Sequence, residues 1–269
     1  MLTTVNNDNS FSAFSDCNSD RSAEFSTPSS ETRRLLIACA ADNSDEFIPH
    51  LVLNLHSCSI EDQKQATMEI RLLAKNKEEN RVKIAKAGAI KPLVSLLSSS
   101  SDLQLQEYVL LEGGGLRGKK DAATALYAVC SAKENKVRAV RAGVMRALVE
   151  LMADLGSSMV DKAVYVVSVV VGVVEGRAAL VDEGGIPVLV EIVEVGTQRQ
   201  KEIAVGVLLQ ICEESWVYRT MVAREGAIPP LVAFSQSQSH SHSNRPRHKA
   251  EKLIELLRQP RSGNGAGRS

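Results

Sequence analysis

Two stretches of the chain, GAIKPLVSLL from Gly88 and GGIPVLVEIV from Gly184, have the same pattern. Related stretches begin at Glu46 (EFIPHLVLNL), Gly143 (GVMRALVELM) and Gly226 (GAIPPLVAFS). Successive starts lie roughly 42 residues apart, except for a longer interval between Gly88 and Gly143. In each stretch the apolar residues recur at the spacing of one helical face, and a glycine before them suits a sharp bend. The pattern predicts an array of repeated helical units.

A second set of apolar stretches has the same period. They open at Ala66, Ala122, Ala163 and Ala204, each about half a period before the next start. We expect one helix here, led by a short polar helix such as RGKKD or TQRQKE and followed by a polar turn such as EENRVKI or KENKVRAV. The Val-rich stretch AVYVVSVVVGVV has strand propensity, but its register predicts a helix because packing overrides weak propensity.

A single unit of this kind cannot bury its apolar face, so neighbouring units must stack. A period of roughly 42 residues with a Gly bend and three helices is the armadillo pattern, and the related HEAT pattern has a similar length. The predicted fold is therefore all-α: an armadillo right-handed superhelical solenoid with disordered N- and C-terminal tails.

The predicted organisation places a disordered Ser-rich arm at 1–30, the armadillo array at 31–259 and a disordered tail at 260–269. The array is divided into a cap at 31–58, a repeat at 59–98, a truncated unit at 99–115, repeats at 116–155, 156–196 and 197–236, and a C-terminal cap helix at 247–259.

The interval between Gly88 and Gly143 is irregular. The doublets Leu96-Leu97 and Leu110-Leu111 should be one full period apart but are separated by a third of it. About two thirds of a repeat, or that length plus whole repeats, is therefore missing. We infer a join near Tyr108–Val109, from a splice variant, a deletion or a gene-model artefact. Such a join is expected to expose apolar faces and to interrupt the array.

Composition excludes several classes of protein. The chain has 32 Lys and Arg and 32 Asp and Glu, and this neutral balance argues against nucleic acid as a partner. The longest apolar run is too short to span a membrane, and the polar start MLTTVNNDNS does not resemble a signal peptide. The five cysteines form no Cys-x-x-Cys pair, which favours free thiols in a reducing compartment. The expected location is the cytoplasm, the nucleus or both.

No residue pattern predicts a cofactor, a metal site or catalysis. Gly113, Gly118 and Lys119 have P-loop spacing, but Lys120 replaces the required Ser or Thr, and an inter-repeat loop is expected there rather than a strand and helix. His240, His242 and His248 lie in a Ser-rich stretch without a supporting ligand cluster. No nucleophile and base can be placed within mutual reach.

Several phrases resemble the armadillo region of plant U-box proteins and of their relatives without a U-box. They include SSSDLQLQEY, RGKKDAATALY, CSAKENKVRAVRAG, GIPVLVEI, GTQRQKEIAV and MVAREGAIPPLVA, within roughly residues 31–262. The resemblance implies that the repeats recruit a partner protein. A U-box would need a further folded domain before the array, longer than the Ser-rich arm at 1–30. We therefore expect no ligase activity and predict a non-catalytic scaffold in ubiquitin-related signalling.

The best candidates for partner contact lie on the helix after each repeat glycine, the third of its unit, which we expect to line the concave groove. They would suit an extended segment of mixed charge. Two alternatives are a ubiquitin ligase component and a nuclear-import adaptor; the latter needs a Trp and Asn ladder, whereas Trp216 is expected in a loop. The candidate residues are Lys91, Ser95, Arg146, Glu150, Glu191 and Glu194.

Overall fold

The structure is a computed structural model that describes residues 44–98, 114–237 and 244–259. Every regular element in these ranges is an α-helix. The predicted tails at 1–30 and 260–269, and most of the truncated unit, lie outside the described residues. The helices are α1 Ser44–Leu55, α2 Ile60–Asn76, α3 Glu78–Lys86, α4 Ile90–Ser98, α5 Gly114–Val129, α6 Lys133–Arg141, α7 Val144–Ala153, α8 Val160–Val170, α9 Val174–Asp182, α10 Gly185–Val195, α11 Gln198–Glu213, α12 Trp216–Arg224, α13 Ile228–Gln236 and α14 Arg245–Arg258.

Four units follow one another, and each contains three helices in the same order. A long helix (α2, α5, α8, α11) is followed by a short helix (α3, α6, α9, α12) and then, after the repeat glycine, by a third helix that we call the Gly helix (α4, α7, α10, α13). The helix α1 precedes the first unit, and α14 packs on α11 and α13 after the last one. The predicted all-α repeat array is confirmed.

The prediction for the helices inside a unit was partly wrong. The segments RGKKD and TQRQKE are not separate short helices, because they form the first turns of α5 and α11. Thr197 and Gln200 cap α11 with a reciprocal capping box, and the helix then runs without a break to Glu213. The predicted polar turns are instead the short helices α3 and α6, which each bury part of one face.

The Val-rich stretch is helical over Val160–Val170, so the prediction of a helix is confirmed for that part. The chain then turns at residues 171–173, and Val174 begins the next helix. Trp216 was expected in a loop, but it is the first residue of α12. Ser215 caps this helix by accepting a hydrogen bond from the backbone N–H of Tyr218, which explains where the helix starts.

The four repeat glycines adopt the left-handed backbone conformation that their position predicted. Their φ angles are +94° at Gly88, +79° at Gly143, +75° at Gly184 and +81° at Gly226. A residue with a Cβ is strained in this region, so glycine is the favoured residue at the bend between the short helix and the Gly helix.

The apolar core runs through the whole array. The alanines that open the second apolar pattern are buried in α2, α5, α8 and α11, and Ala250 is buried at the corresponding position of α14. Each long helix packs against the long helix of the next unit. Burial of apolar surface between units is therefore the main force that holds the array together.

The array is not interrupted at the irregular interval, contrary to the prediction. The helix α5 packs directly on α2 and α4, so the units on either side of residues 99–113 are stacked neighbours. Arg71 Nη1 lies 3.1 Å from Asp121 Oδ1 across this junction, and Asn135 Nδ2 donates to the carbonyl oxygen of Arg81 at 2.8 Å. Stacking depends on complementary helix faces, and a longer connection between them does not prevent it.

Candidate protein-binding faces

The six predicted partner-contact residues are all exposed, and they lie on the Gly helices of three successive units. We call them the Gly-helix face. Their contact with a partner stays a prediction. Lys91 and Ser95 lie on α4, Arg146 and Glu150 on α7, and Glu191 and Glu194 on α10.

The positive charge of Arg146 is already paired within the chain. Its Nε lies 3.1 Å from Glu183 Oε2, and its Nη2 donates to Glu183 Oε1 at 3.4 Å. The hydrogen bond from Arg146 to Glu183, together with the negative charges of Glu183 and Glu150, raises the pKa of Arg146. The positive charge on this part of the Gly-helix face is therefore partly neutralised.

A second, partly exposed face was not predicted. Each long helix contains one of the buried alanines described above. The residues two positions before, two positions after and six positions after this alanine lie together on the side of the helix that faces away from the core. We call these three rows the long-helix face. The row before the alanine is Lys64, Lys120, Asp161, Glu202 and His248; the next is Met68, Thr124, Tyr165, Gly206 and Lys252; the last is Leu72, Ala128, Val169, Gln210 and Leu256.

The burial of these rows is intermediate at most positions. Met68, Tyr165 and Val169 are half-buried, whereas Thr124 and Ala128 are buried. Half-buried apolar side chains bordered by charged ones are typical of surfaces that bind a peptide. The signal was present in the sequence as the spacing from each alanine, but periodicity alone does not tell which side of a helix neighbouring units leave uncovered.

Tyr165, at the centre of the long-helix face, is held in place by two neighbouring side chains. The rings of Tyr127 and Tyr165 meet edge to face with centroids 6.3 Å apart. Arg199, from the next long helix, donates from Nε to Tyr165 Oη at 2.8 Å, and its guanidinium carbon lies 5.3 Å from the ring centroid. These contacts fix the position of Tyr165, so a partner would meet a preorganised aromatic surface.

Gly206 leaves open space beside these side chains. It occupies in α11 the position that Tyr165 occupies in α8. A Cβ added at Gly206 would have only Lys249 Nζ within 4 Å, at 3.7 Å. A side chain of a partner can therefore reach the backbone of α11 at this point.

The residues of the P-loop-like motif do not form a loop. Gly118, Lys119 and Lys120 lie inside α5, where an inter-repeat loop was expected. Leu116, Arg117 and both lysines favour helix and offset the glycines. Backbone N–H groups within a helix interior are used by the helix, so they are not arranged to cradle a phosphate.

The buried thiols are poor nucleophiles at neutral pH. Burial raises the pKa of Cys130 and of Cys212 to about 12, and both therefore stay protonated at neutral pH. Cys58 is exposed. Within the described ranges no three His, Cys, Asp or Glu side chains are grouped as a metal site would need. No helix among these residues is long and apolar enough to cross a bilayer.

Comparison with known families accounts for this architecture. Residues 117–264, more than half of the chain, match the plant U-box protein ARM repeat region, and residues 77–111 match an armadillo/beta-catenin-like repeat. The chain belongs to the plant U-box ARM repeat family. Armadillo arrays are non-catalytic scaffolds for protein interaction, so the coarse function follows from the fold and the family together.

The relatives extend well beyond this chain. It is 35% identical over 237 residues to U-box domain-containing protein 2 of Arabidopsis thaliana, an alignment that covers 62% of this chain and 33% of the relative. It is 30% identical to U-box domain-containing protein 25 of the same plant, with coverage of 70% and 47%. The chain thus spans between a third and a half of these two relatives.

Solved structures give the same fold. A designed armadillo repeat protein in complex with the peptide (KR)4 superposes with a TM-score of 0.66 at 21% identity, covering 92% of this chain and 98% of that one. A computationally designed armadillo protein for modular peptide recognition gives a TM-score of 0.66 at 20% identity, with coverage of 91% and 98%. At this level of identity the likeness shows the fold alone.

Proposed function

We propose that this chain is a non-catalytic adaptor that binds an extended segment of a partner protein along the long-helix face, in ubiquitin-related signalling in the cytoplasm, the nucleus or both. One observation carries the proposal. A half-buried charged side chain recurs at the same position of all four long helices, and half-buried apolar side chains follow it in the first and third units, so a partner would meet a regular surface rather than an isolated patch.

The packing of the layers favours this face over the Gly-helix face. Long helices of successive units contact one another more extensively than successive short helices or successive Gly helices do. Helices on the inner side of a curved array approach more closely than those on its outer side, and the concave side of a solenoid is its usual binding surface. The Gly-helix face remains the alternative position for the partner.

The solved neighbours support the kind of partner. The designed armadillo proteins with this fold are described with a bound peptide and for peptide recognition. An extended segment loses less entropy when it binds to a rigid, preorganised surface, and the contacts around Tyr165 supply such rigidity here.

Three substitutions can locate the face. Gly206→Arg fills the open space on the long-helix face and favours helix, Glu191→Arg alters the Gly-helix face, and Glu175→Arg alters the exposed side of short helix α9. Peptides about 12 residues long, enough to span roughly 40 Å, would first be selected from a random displayed library with the unmodified chain. Their affinities for the three variants would then be measured by calorimetry.

We expect Gly206→Arg to weaken the binding of the selected peptides at least about tenfold, a loss of about 1.4 kcal/mol in binding free energy. Glu175→Arg should leave their affinity unchanged. Loss of binding with Glu191→Arg alone would move the partner to the Gly-helix face. Failure to select any peptide, with circular dichroism showing an intact helical fold, would refute the adaptor proposal.

The names of the relatives favour a second candidate, the substrate-recognition part of a U-box-type ubiquitin ligase. An in-vitro ubiquitination assay separates the two. We expect this chain alone to form no ubiquitin chains with a conjugating enzyme; chain formation would overturn the non-catalytic assignment.

A further inference from the structure

The neutral chain is divided into units of opposite charge. Residues 59–98 contain eight Lys and Arg and five Asp and Glu, and residues 114–155 contain eight and four. Residues 156–196 contain two and six. The first two units are therefore basic and the third is strongly acidic, a separation that the formal net charge conceals.

The long-helix face shows the same change of sign at one recurring position. Two residues before the buried alanine of the long helix, the first two units carry Lys64 and Lys120, and the next two carry Asp161 and Glu202. All four are half-buried. A charge that is partly shielded from water interacts more strongly with a bound charge than a fully exposed one does.

In the first two units, the nearby carboxylate of Asp121 already has a basic partner within the chain. Asp121 pairs with Arg71 across the first junction, with 3.1 Å between Oδ1 and Nη1. Glu61 lies 3.7 Å from Lys64 and is 83% exposed, so this ion pair is weak. The charge of Lys64 is thus largely available to an acidic group of a partner.

In the third and fourth units, the nearby basic side chains contact other groups of the chain. Arg199 contacts the hydroxyl and the ring of Tyr165, and Lys201 Nζ donates to the carbonyl oxygen of Glu194 at 2.7 Å. Asp161 Oδ1 is buried and has no hydrogen-bond partner among the described residues. This oxygen is out of a partner's reach, but the negative charge of the half-buried Asp161 carboxylate attracts a basic side chain on the surface.

We propose that the long-helix face selects a segment whose charges are separated into two blocks, with acidic residues over the first two units and basic residues over the third. This inference rests on the proposed function and adds the chemistry of the partner. With units about 10 Å apart, the centres of the two blocks lie about 15 Å apart, which an extended segment covers with about five residues.

The test uses synthetic peptides of one composition and different order. One peptide carries a block of glutamates, a short Gly-Ser spacer and a block of lysines; a second carries the blocks in reverse order, since either chain direction can present them. A third alternates Glu and Lys around the same spacer residues. We expect the better block peptide to bind at least about tenfold more tightly than the alternating peptide, with a difference that shrinks at high salt.

Charge reversal in the third unit supplies the matched control. Asp161→Lys should remove the preference for blocks and favour an all-glutamate peptide, whereas Glu175→Lys makes the same change of charge on the short-helix side and should keep the preference. Asp161→Asn, which preserves the shape of the side chain, should reduce the preference in the same direction if the lysine variant does not fold.

The outcomes of these experiments are distinguishable. Equal affinity for block and alternating peptides would overturn the two-block inference, and the adaptor proposal would stand if library peptides still bind and Gly206→Arg weakens them. An unchanged preference in Asp161→Lys and Asp161→Asn would also overturn the inference. If no library peptide binds the folded chain, both proposals fall together.

Discussion

The second unit (α5 to α7) and the third unit (α8 to α10) have the same three-helix architecture but different chemistry. The second is basic, and its long helix is rich in alanine; the third is acidic, and its long helix is rich in valine. Each turns from its long helix to its short helix over a few residues. The array therefore requires this turn geometry, but different residues can produce the turn.

The two units complete the turn in different ways. In the second, Asn135 donates from Nδ2 to the carbonyl oxygen of Val129 at 2.9 Å and to that of Arg81 in the unit before at 2.8 Å. In the third, Gly176 stands at the same position, against the carbonyl group of Val170. The turn is therefore held by side-chain hydrogen bonds in the second unit and by close backbone contact in the third.

The largest expected effect is at Gly176. In Gly176→Ala the new Cβ would lie 2.8 Å from the carbonyl carbon of Val170 and still closer to its oxygen, so the backbone of α8 or α9 must shift. We expect a loss of about 3 kcal/mol in the free energy of unfolding by urea. Gly206→Ala is the control, because its Cβ meets only Lys249 Nζ and alanine favours helix. Equal stability of the two variants would contradict the close-contact explanation.

Asn135→Ala should have the next largest effect. It removes hydrogen bonds to two carbonyl groups, one of them in the neighbouring unit, and we expect a loss of about 2 kcal/mol. Asn80 occupies the same position in the first unit and donates to the carbonyl oxygen of Leu73 at 3.3 Å. Asn80→Ala should cost about 1 kcal/mol in urea unfolding. A larger loss there than for Asn135→Ala would show that the junction bond is unimportant.

Gly143→Ala and Gly184→Ala test a feature that the two units share. Both glycines have positive φ, +79° and +75°, and the added Cβ would meet no atom within 4 Å. Backbone strain is then the main cost, and each variant should lose about 1 kcal/mol in thermal or urea unfolding. Clearly unequal losses would mean that the bends of the basic and acidic units are not equivalent.

The smallest effect is expected at the ion pair that joins the two units. Arg146 and Glu183 are 3.1 Å apart, but the Arg146 side chain is 71% exposed. Solvent screens such a pair, so Arg146→Gln should leave the unfolding transition unchanged within measurement scatter at physiological salt. A clear loss of stability that high salt abolishes would show that this ion pair holds the units together.

Much of the fold was predictable from short-range rules. The repeat glycines and the spacing of apolar residues after them predicted α4, α7, α10 and α13, because a bend and one buried helical face are local properties. The helices inside each unit were harder to predict from the sequence. The segments of α3 and α6 are polar enough to be taken for turns, and they become helices where Asn80 and Asn135 are buried against neighbouring helices.

The candidate binding face was less predictable than the fold. The residues of the Gly-helix face were correctly expected to be exposed, but exposure does not identify a contact. The long-helix face depends on which sides of α5, α8 and α11 the neighbouring units cover. The pairing of Arg146 with Glu183 likewise joins residues 37 positions apart, which no local pattern relates.

By itself, the sequence determined that this chain is an array of helical units with a glycine bend in each, because helical periodicity and backbone strain act over a few residues. Only the tertiary structure decided that the units on either side of residues 99–113 stack as neighbours, and that the long helices share a face on which most side chains are half-buried. The reason is physical. Stacking and exposure are set by the area that distant helices bury against each other, and that area is a property of the folded array.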